Sequence, residues 1–224
     1  CAYFALYFAS FPLGLIPWGW PAEQYTKLWR AFVPWVGAHV LELAQPITVF
    51  PLGSGDTTYN YVEVLCFAVF ALVATAVWSL VAWRAPHHQR AHAWLHTGLR
   101  FAVGVTLMGY GMAKVIPTQF TSPGLERLTQ TYGDSSPMGL LWTFMGFSSA
   151  YTVFAGVCET LPGVLLFYRR TATLGALLGA AVMVNIVALN FCFDVPVKLY
   201  SSHLFAACTF LALPDAARLW SVFV

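Results

Sequence analysis

Arg100 and Lys114 bracket one apolar helical stripe, with Gly104, Leu107 and Gly111 between them at offsets of 4, 7 and 11 from the arginine. A glutamate, Glu159, lies deep in the apolar segment that follows. A charge at such depth costs on the order of several kcal/mol unless a partner or water satisfies it. Asp, Glu, Lys and Arg make up only 9% of the chain, so each one placed in hydrocarbon calls for a reason. Two kinds of chemistry are open to such residues: handling a proton, or holding the polar end of a ligand. Against both stands a structural use, in which Arg100 and Lys114 snorkel to the two membrane faces beside a glycine-lined packing surface.

Glu159 sits about nine residues before the basic end Phe167-Tyr168-Arg169-Arg170, too deep for a short side chain to reach water. Its face carries Thr152, Ala155, Gly156 and Gly163, small residues suited to an interior contact. Pro162 removes the hydrogen bond to the Cys158 carbonyl, so a kink and a free acceptor are expected one turn away. Rise along antiparallel helices puts Tyr110 and Asn185 within about 6 Å of its level. These two are the expected hydrogen-bond partners, with Arg100 a secondary one, and without a cation beside it the carboxyl is expected to be protonated. The candidate ligand-binding set is therefore Arg100, Tyr110, Lys114, Glu159 and Asn185.

Other polar residues carry weaker signals. Asn190 and Asp194 follow a Gly175/Gly179 pair, and with Lys114, Lys198 and His203 they suggest an outer polar cluster, either structural glue or the rim of a headgroup-sized site. His88, His92 and His96 recur every four residues, a spacing that suits a metal. No carboxylate or cysteine joins them, and Arg84 and Arg90 mark the stretch as a solvated linker. Gly53-Ser54-Gly55-Asp56 looks like the GxGD fragment of intramembrane aspartyl proteases, but the second intramembrane aspartate that this chemistry needs is missing. The five cysteines contain no CxxC pair and read as small apolar helix residues, with Cys192–Cys208 as the one pairing to check. No nucleophile motif, dinucleotide fingerprint or phosphate loop is present.

Membrane helices must position these residues. With 59% hydrophobic and 17% aromatic residues among 224, the chain has too little polar surface for a soluble domain. A net charge of +2 and the lack of a basic run argue against nucleic acid as a partner. Apolar segments long enough to span fall at 1–18, 61–83, 97–116, 139–168, 172–194 and 200–220. That gives six spans, or five if the last, interrupted at Pro214-Asp215, does not cross. Pro12 and Pro17 predict a broken or tilted first helix. Between 21 and 60, Tyr25, Leu28, Trp29, Phe32, Trp35 and Val36 recur at helical spacing. They describe a helix on the outer surface, one that caps the bundle, or one that contacts another subunit.

Arg84, Arg90 and Arg100 surround the short 84–97 connection, Arg169 and Arg170 sit in the next even loop and Arg218 lies near the end, whereas the opposite side mixes its Lys and Arg with acids; both ends are thus expected in the cytoplasm. Trp18, Trp20, Trp29, Trp35 and Trp142 then mark the outer boundary, and Trp78, Trp83, Trp94 and Trp220 the inner one. A lipid-modified Cys1 would conflict with that orientation. The start at Cys1 without methionine and the apolar end Ser221-Val222-Phe223-Val224 lead us to expect a longer native chain.

Arg100-Phe101, Gly109-Tyr110-Gly111-Met112-Ala113-Lys114, then Glu159-Thr160-Leu161-Pro162-Gly163-Val164-Leu165-Leu166 and Arg169-Arg170 resemble the DoxX family. Helices of that family carry an arginine, a G-x-x-K closing the first helix, and an E-x-x-x-G opening a leucine run before a basic turn. Order and spacing agree over about 97–220, with Pro162 where the family usually has glycine. The resemblance implies a four-helix membrane unit, with relatives linked to quinone-dependent sulfur oxidation and to membrane-anchored redox or thiol-stress complexes.

The expected fold is an all-α polytopic transmembrane bundle. Residues 1–96 would supply two spans with an outer interfacial segment, and 97–224 a DoxX-like four-helix unit. The expected function is a multi-pass subunit of the cell membrane, the bacterial inner membrane, in a quinone-linked or other redox system. It would bind a lipid-soluble partner, with a quinone as candidate cofactor, or anchor a redox enzyme. The alternatives are a structural subunit packed against other membrane protein subunits, and a small transporter or proton pathway through Glu159. The lipid bilayer and neighbouring subunits are the expected partners.

Overall fold

The structure, a computed structural model, describes residues 1–17, 19–50, 55–82 and 89–221. Trp18, Gly53, Ser54, Trp83, Arg84 and His88, named above, lie outside the described residues, as does the end Val222-Phe223-Val224. The described residues form helices joined by turns and irregular segments, with no strand among them. They form two compact units, Cys1–Ala102 and Val103–Val224.

The first unit contains α1 (Ala2–Tyr7), α2 (Ser10–Gly14), α3 (Trp20–His39) and α4 (Thr58–Val81). The first apolar segment is broken between α1 and α2, just ahead of the backbone that Pro12 constrains. Gly19, in the left-handed region at φ 64°, turns the chain into α3, and Pro21 fits its first turn. Trp29, Val33 and Val36 of α3 bury themselves against Val62, Cys66 and Phe67 of α4. The Trp29 and Phe67 rings meet edge-on at 4.6 Å. Leu28 and Trp35, part of the same aromatic series in sequence, remain 62% and 51% exposed, so only one side of α3 is packed. Thr57 and Asn60 form a capping box, which explains why α4 begins three residues before its apolar run.

The boundary between units falls inside α5 (Gln89–Val115), whose first turns carry His92 and His96; the expected linker there is helical from 89 onward. The second unit continues with α6 (Leu125–Thr129), α7 (Pro137–Phe147), α8 (Ser149–Phe167), α9 (Ala172–Cys192), α10 (Lys198–Ala212) and α11 (Ala216–Trp220). The single helix expected over 139–168 is in fact two. Ser148 is extended, with φ −114° and ψ 101°, and its side chain caps α8 by accepting from the Tyr151 amide. Thr152 ties the break by donating to the Met145 carbonyl at 2.5 Å. In turn α10 ends at Ala212, where a 3-10 turn over Leu213–Asp215 contains the proline noted in sequence. All five cysteines are free thiols, so Cys192 and Cys208 form no bridge.

Among the described residues, α4, α8 and α9 are long and apolar enough to cross a membrane. The other expected spans fall on α1 with α2, on α5, and on α10. The protein is an all-helical membrane protein.

Candidate functional site

Two glycine pairs bring α5 and α8 together. A Cβ built on Gly111 would lie 2.7 Å from the Gly156 carbonyl oxygen, and one on Gly156 would lie 2.6 Å from that of Gly111. Gly104 and Gly163 repeat the arrangement two turns away, at 3.2 and 2.9 Å. Only glycine permits this approach of backbone to backbone. The pairing of 104 with 163 and of 111 with 156 also fixes the register of an antiparallel contact.

That register explains what happens to the two charges. Lys114 lies three residues beyond Gly111, and Glu159 three beyond Gly156, so their Cα atoms differ by about 9 Å along the axis. Side chains lean toward the N-terminus of their own helix. In antiparallel helices this leans each of the two toward the other, and two long side chains close the gap. Lys114 Nζ and Glu159 Oε2 form an ion pair with the residues only 8% and 4% exposed. Lys114 Nζ also approaches the Tyr110 carbonyl at 3.4 Å and lies 5.9 Å from the Tyr110 ring centroid.

Two expectations are thereby corrected. Lys114 does not snorkel outward, and Glu159 has a cation, rather than Tyr110 or Asn185, as its hydrogen-bond partner. The carboxyl therefore has the Lys114 ammonium beside it, where the sequence led us to expect no cation.

The pair forms part of the wall of a cavity of about 400 Å³ in the second unit. Phe120, Trp142, Tyr151 and Phe154 supply aromatic wall, and Leu141, Met145, Met183, Ile186 and Leu204 supply aliphatic wall. Phe120 and Trp142 meet edge-on at 5.1 Å. Tyr110, Gln119, Asn185, Asn190, Tyr200 and Ser201 add polar groups. Tyr110 and Tyr200 stand 6.1 Å apart, ring to ring, and Tyr200 Oη is 3.4 Å from Thr106 Oγ1. Gln119 Oε1 is buried without a hydrogen-bond partner, a condition that ligands or water normally relieve.

Four of the five residues expected from sequence, Tyr110, Lys114, Glu159 and Asn185, thus line one cavity. The lining does not include Arg100, which belongs to the first unit; its guanidinium lies 5.1 Å from the Phe101 ring centroid and its Nε is buried without a partner.

The outer polar cluster divides. Asn190 donates to Ser201 Oγ at 3.0 Å, Lys198 pairs with Asp194 at 2.6 Å, and His203 Nδ1 bonds the Leu199 carbonyl. Lys114 leaves this group for Glu159.

Sequence reasoning missed Gln119, Trp142, Tyr200 and Ser201 as lining residues. Trp142 reads as a boundary tryptophan, and Gln119 follows the helix end marked by Lys114. Tyr200 and Ser201 precede an apolar run whose face is not fixed by periodicity.

No family model matches the chain, and no solved structure matches it. It is 37% identical over 116 residues to a Bacillus subtilis (strain 168) protein described as uncharacterized protein YwoB. The match covers 51% of this chain and 72% of that relative. Identity at this level over most of the relative's length means that the chain belongs to the YwoB family.

Proposed function

We propose that the second unit holds a lipid-soluble ring compound, and that the protein is a membrane subunit of a quinone-linked or other redox system. The observation that carries this reading is the cavity of about 400 Å³, walled by aromatic side chains and containing the buried Lys114–Glu159 pair. Its size falls in the range of small-molecule sites, as does its mix of apolar wall and few convergent polar groups.

A quinone fits this donor set. Phe120, Trp142, Tyr151 and Phe154 offer faces and edges to a ring, while Lys114, Asn185 and Tyr200 offer donors to its oxygens. Such a group, when bound, carries electrons together with protons. The residues of the chain bind it, orient its oxygens toward Lys114 and exclude water around them. The resemblance to the DoxX family supplies the redox context.

The same reading takes 97–224 as a DoxX-like four-helix unit within six spans, in the cell membrane, the bacterial inner membrane, with both ends cytoplasmic. The compact arginines at 84–100 and 169–170 support that orientation. A redox enzyme or neighbouring subunits would then meet the unit in the bilayer. The reciprocal glycine contact favours a second reading, a purely structural subunit whose ion pair only fastens α5 to α8.

Photolabelling separates the two. A photoactivatable azido-naphthoquinone, irradiated with the full-length protein in nanodiscs, should modify peptides containing Trp142 or Asn185. Labelling spread over lipid-facing residues such as Leu72 and Leu80, with none in the cavity, would favour the structural subunit.

A further inference from the structure

Lys114 and Glu159 leave hydrogen-bonding capacity unused at the cavity. An ammonium carries three N–H donors and a carboxylate two oxygens that accept. One donor goes to Glu159 Oε2 and a second lies 3.4 Å from the Tyr110 carbonyl, so a third remains. The only hydrogen bond that Glu159 receives among the described residues comes from Lys114, so Oε1 remains as an acceptor. A donor and an acceptor therefore stand side by side, in a pair that has no net charge.

The ligand chemistry follows. An anionic head, such as a fatty acid carboxylate, would add an uncompensated charge to a neutral buried pair. A ring carbonyl can accept from Lys114 but leaves Oε1 bare. A hydroxyl does both: its oxygen accepts from Lys114 Nζ and its proton goes to Glu159 Oε1. Gln119 Oε1, buried and unpaired in the same cavity, is a second acceptor that lacks a donor. The aromatic wall selects a ring to carry these hydroxyls.

We infer that the cavity prefers a neutral aromatic hydroxyl compound, a phenol or hydroquinone, over the carbonyl form of the same ring. One hydroxyl bridges Lys114 and Glu159. The inference rests on the proposed ligand-binding role of the cavity, and fixes the chemical state of what it holds.

Calorimetry on the full-length protein in nanodiscs, corrected with empty nanodiscs, tests it with three probes of similar size: 1-naphthol, 1-methoxynaphthalene and 2,3-dimethyl-1,4-naphthoquinone. The methylated quinone is used because its ring positions are blocked against thiols, and Cys158 lines the cavity as a free thiol. The wild type should bind 1-naphthol at least about tenfold tighter than the other two, the effect expected of one hydrogen bond to a charged group. The Lys114→Met, Glu159→Met double variant should bind all three within about threefold of one another, since it removes donor and acceptor together. Equal binding of the three probes to the wild type would overturn the inference while leaving the cavity a ligand site. Hydroxyl preference that persists in the double variant would overturn it as well. Failure of every probe to bind the wild type would sink the ligand-binding reading itself, and the inference with it.

Discussion

Removing either Lys114 or Glu159 alone leaves an uncompensated charge in a place that is nearly closed to water. Breaking a buried pair from one side costs about 3–5 kcal/mol, whereas replacing both members by apolar residues of similar volume is often close to neutral. Glu159→Leu and Lys114→Leu should therefore each lower the thermal midpoint of the detergent-solubilised protein well below that of the Lys114→Met, Glu159→Met double variant. Midpoints that fall additively, with the double variant the least stable, would mean that the two residues do not act as a pair. The depth of Glu159 was readable from its distance to the basic turn, and so was its inward direction. Its partner was not, because level along the helix axis does not by itself measure side-chain reach. Side-chain lean in antiparallel helices brings together two residues whose Cα atoms are a turn and a half apart, and that appears in no one-dimensional pattern.

The packing of α5 on α8 depends on four glycines that sequence places on two stripes without saying that they meet. A side chain at Gly111 or Gly156 would push against backbone carbonyl oxygen, which cannot rotate away. Gly111→Leu and Gly156→Leu should each separate the helices, break the ion pair and abolish recovery of folded, monodisperse protein in gel filtration. Gly109→Ala on the same helix meets nothing within 4 Å and should be tolerated, gaining up to about 1 kcal/mol from helix propensity. Intact folding of the Gly111 and Gly156 variants would remove the register on which the site depends.

At this scale the periodic elements were legible: α4 and α9 start and end within three residues of their apolar runs. The break at Ser148 was not, since apolar residues continue through Leu141, Met145, Tyr151 and Phe154 without a proline, and Gly146 lies inside α7 rather than at its end. Its signal was the Ser148-Ser149 pair, whose first hydroxyl competes for a backbone amide. That break lets α7 bring Leu141, Trp142 and Met145 to the cavity, so the missed element is also one that shapes the site.

Among the described residues of the whole molecule, three helices are suited to span a membrane, and others are shorter or more polar. In the proposed orientation Ser135 faces the outside and Arg170 the cytoplasm. With the five native cysteines replaced, a membrane-impermeant maleimide added to intact cells should label Ser135→Cys and spare Arg170→Cys. The reverse pattern would invert the topology. Membrane character was legible from composition, because charged residues are too few to cover a soluble surface. The cavity was not, because its wall draws on residues from 110 to 204 that no local spacing connects.

If this cavity holds a lipid-soluble ring compound, organic extraction of the protein should release it. Protein taken from native membranes would be purified, extracted with organic solvent and analysed by mass spectrometry. Wild type would be compared with Ala155→Trp, which fills the cavity, and with Val153→Trp, which adds the same bulk to an exposed position of α8 outside the lining. A ring compound should be enriched over bulk lipid in wild type and Val153→Trp, and lost in Ala155→Trp. Equal content at the bulk-lipid level in all three would contradict it.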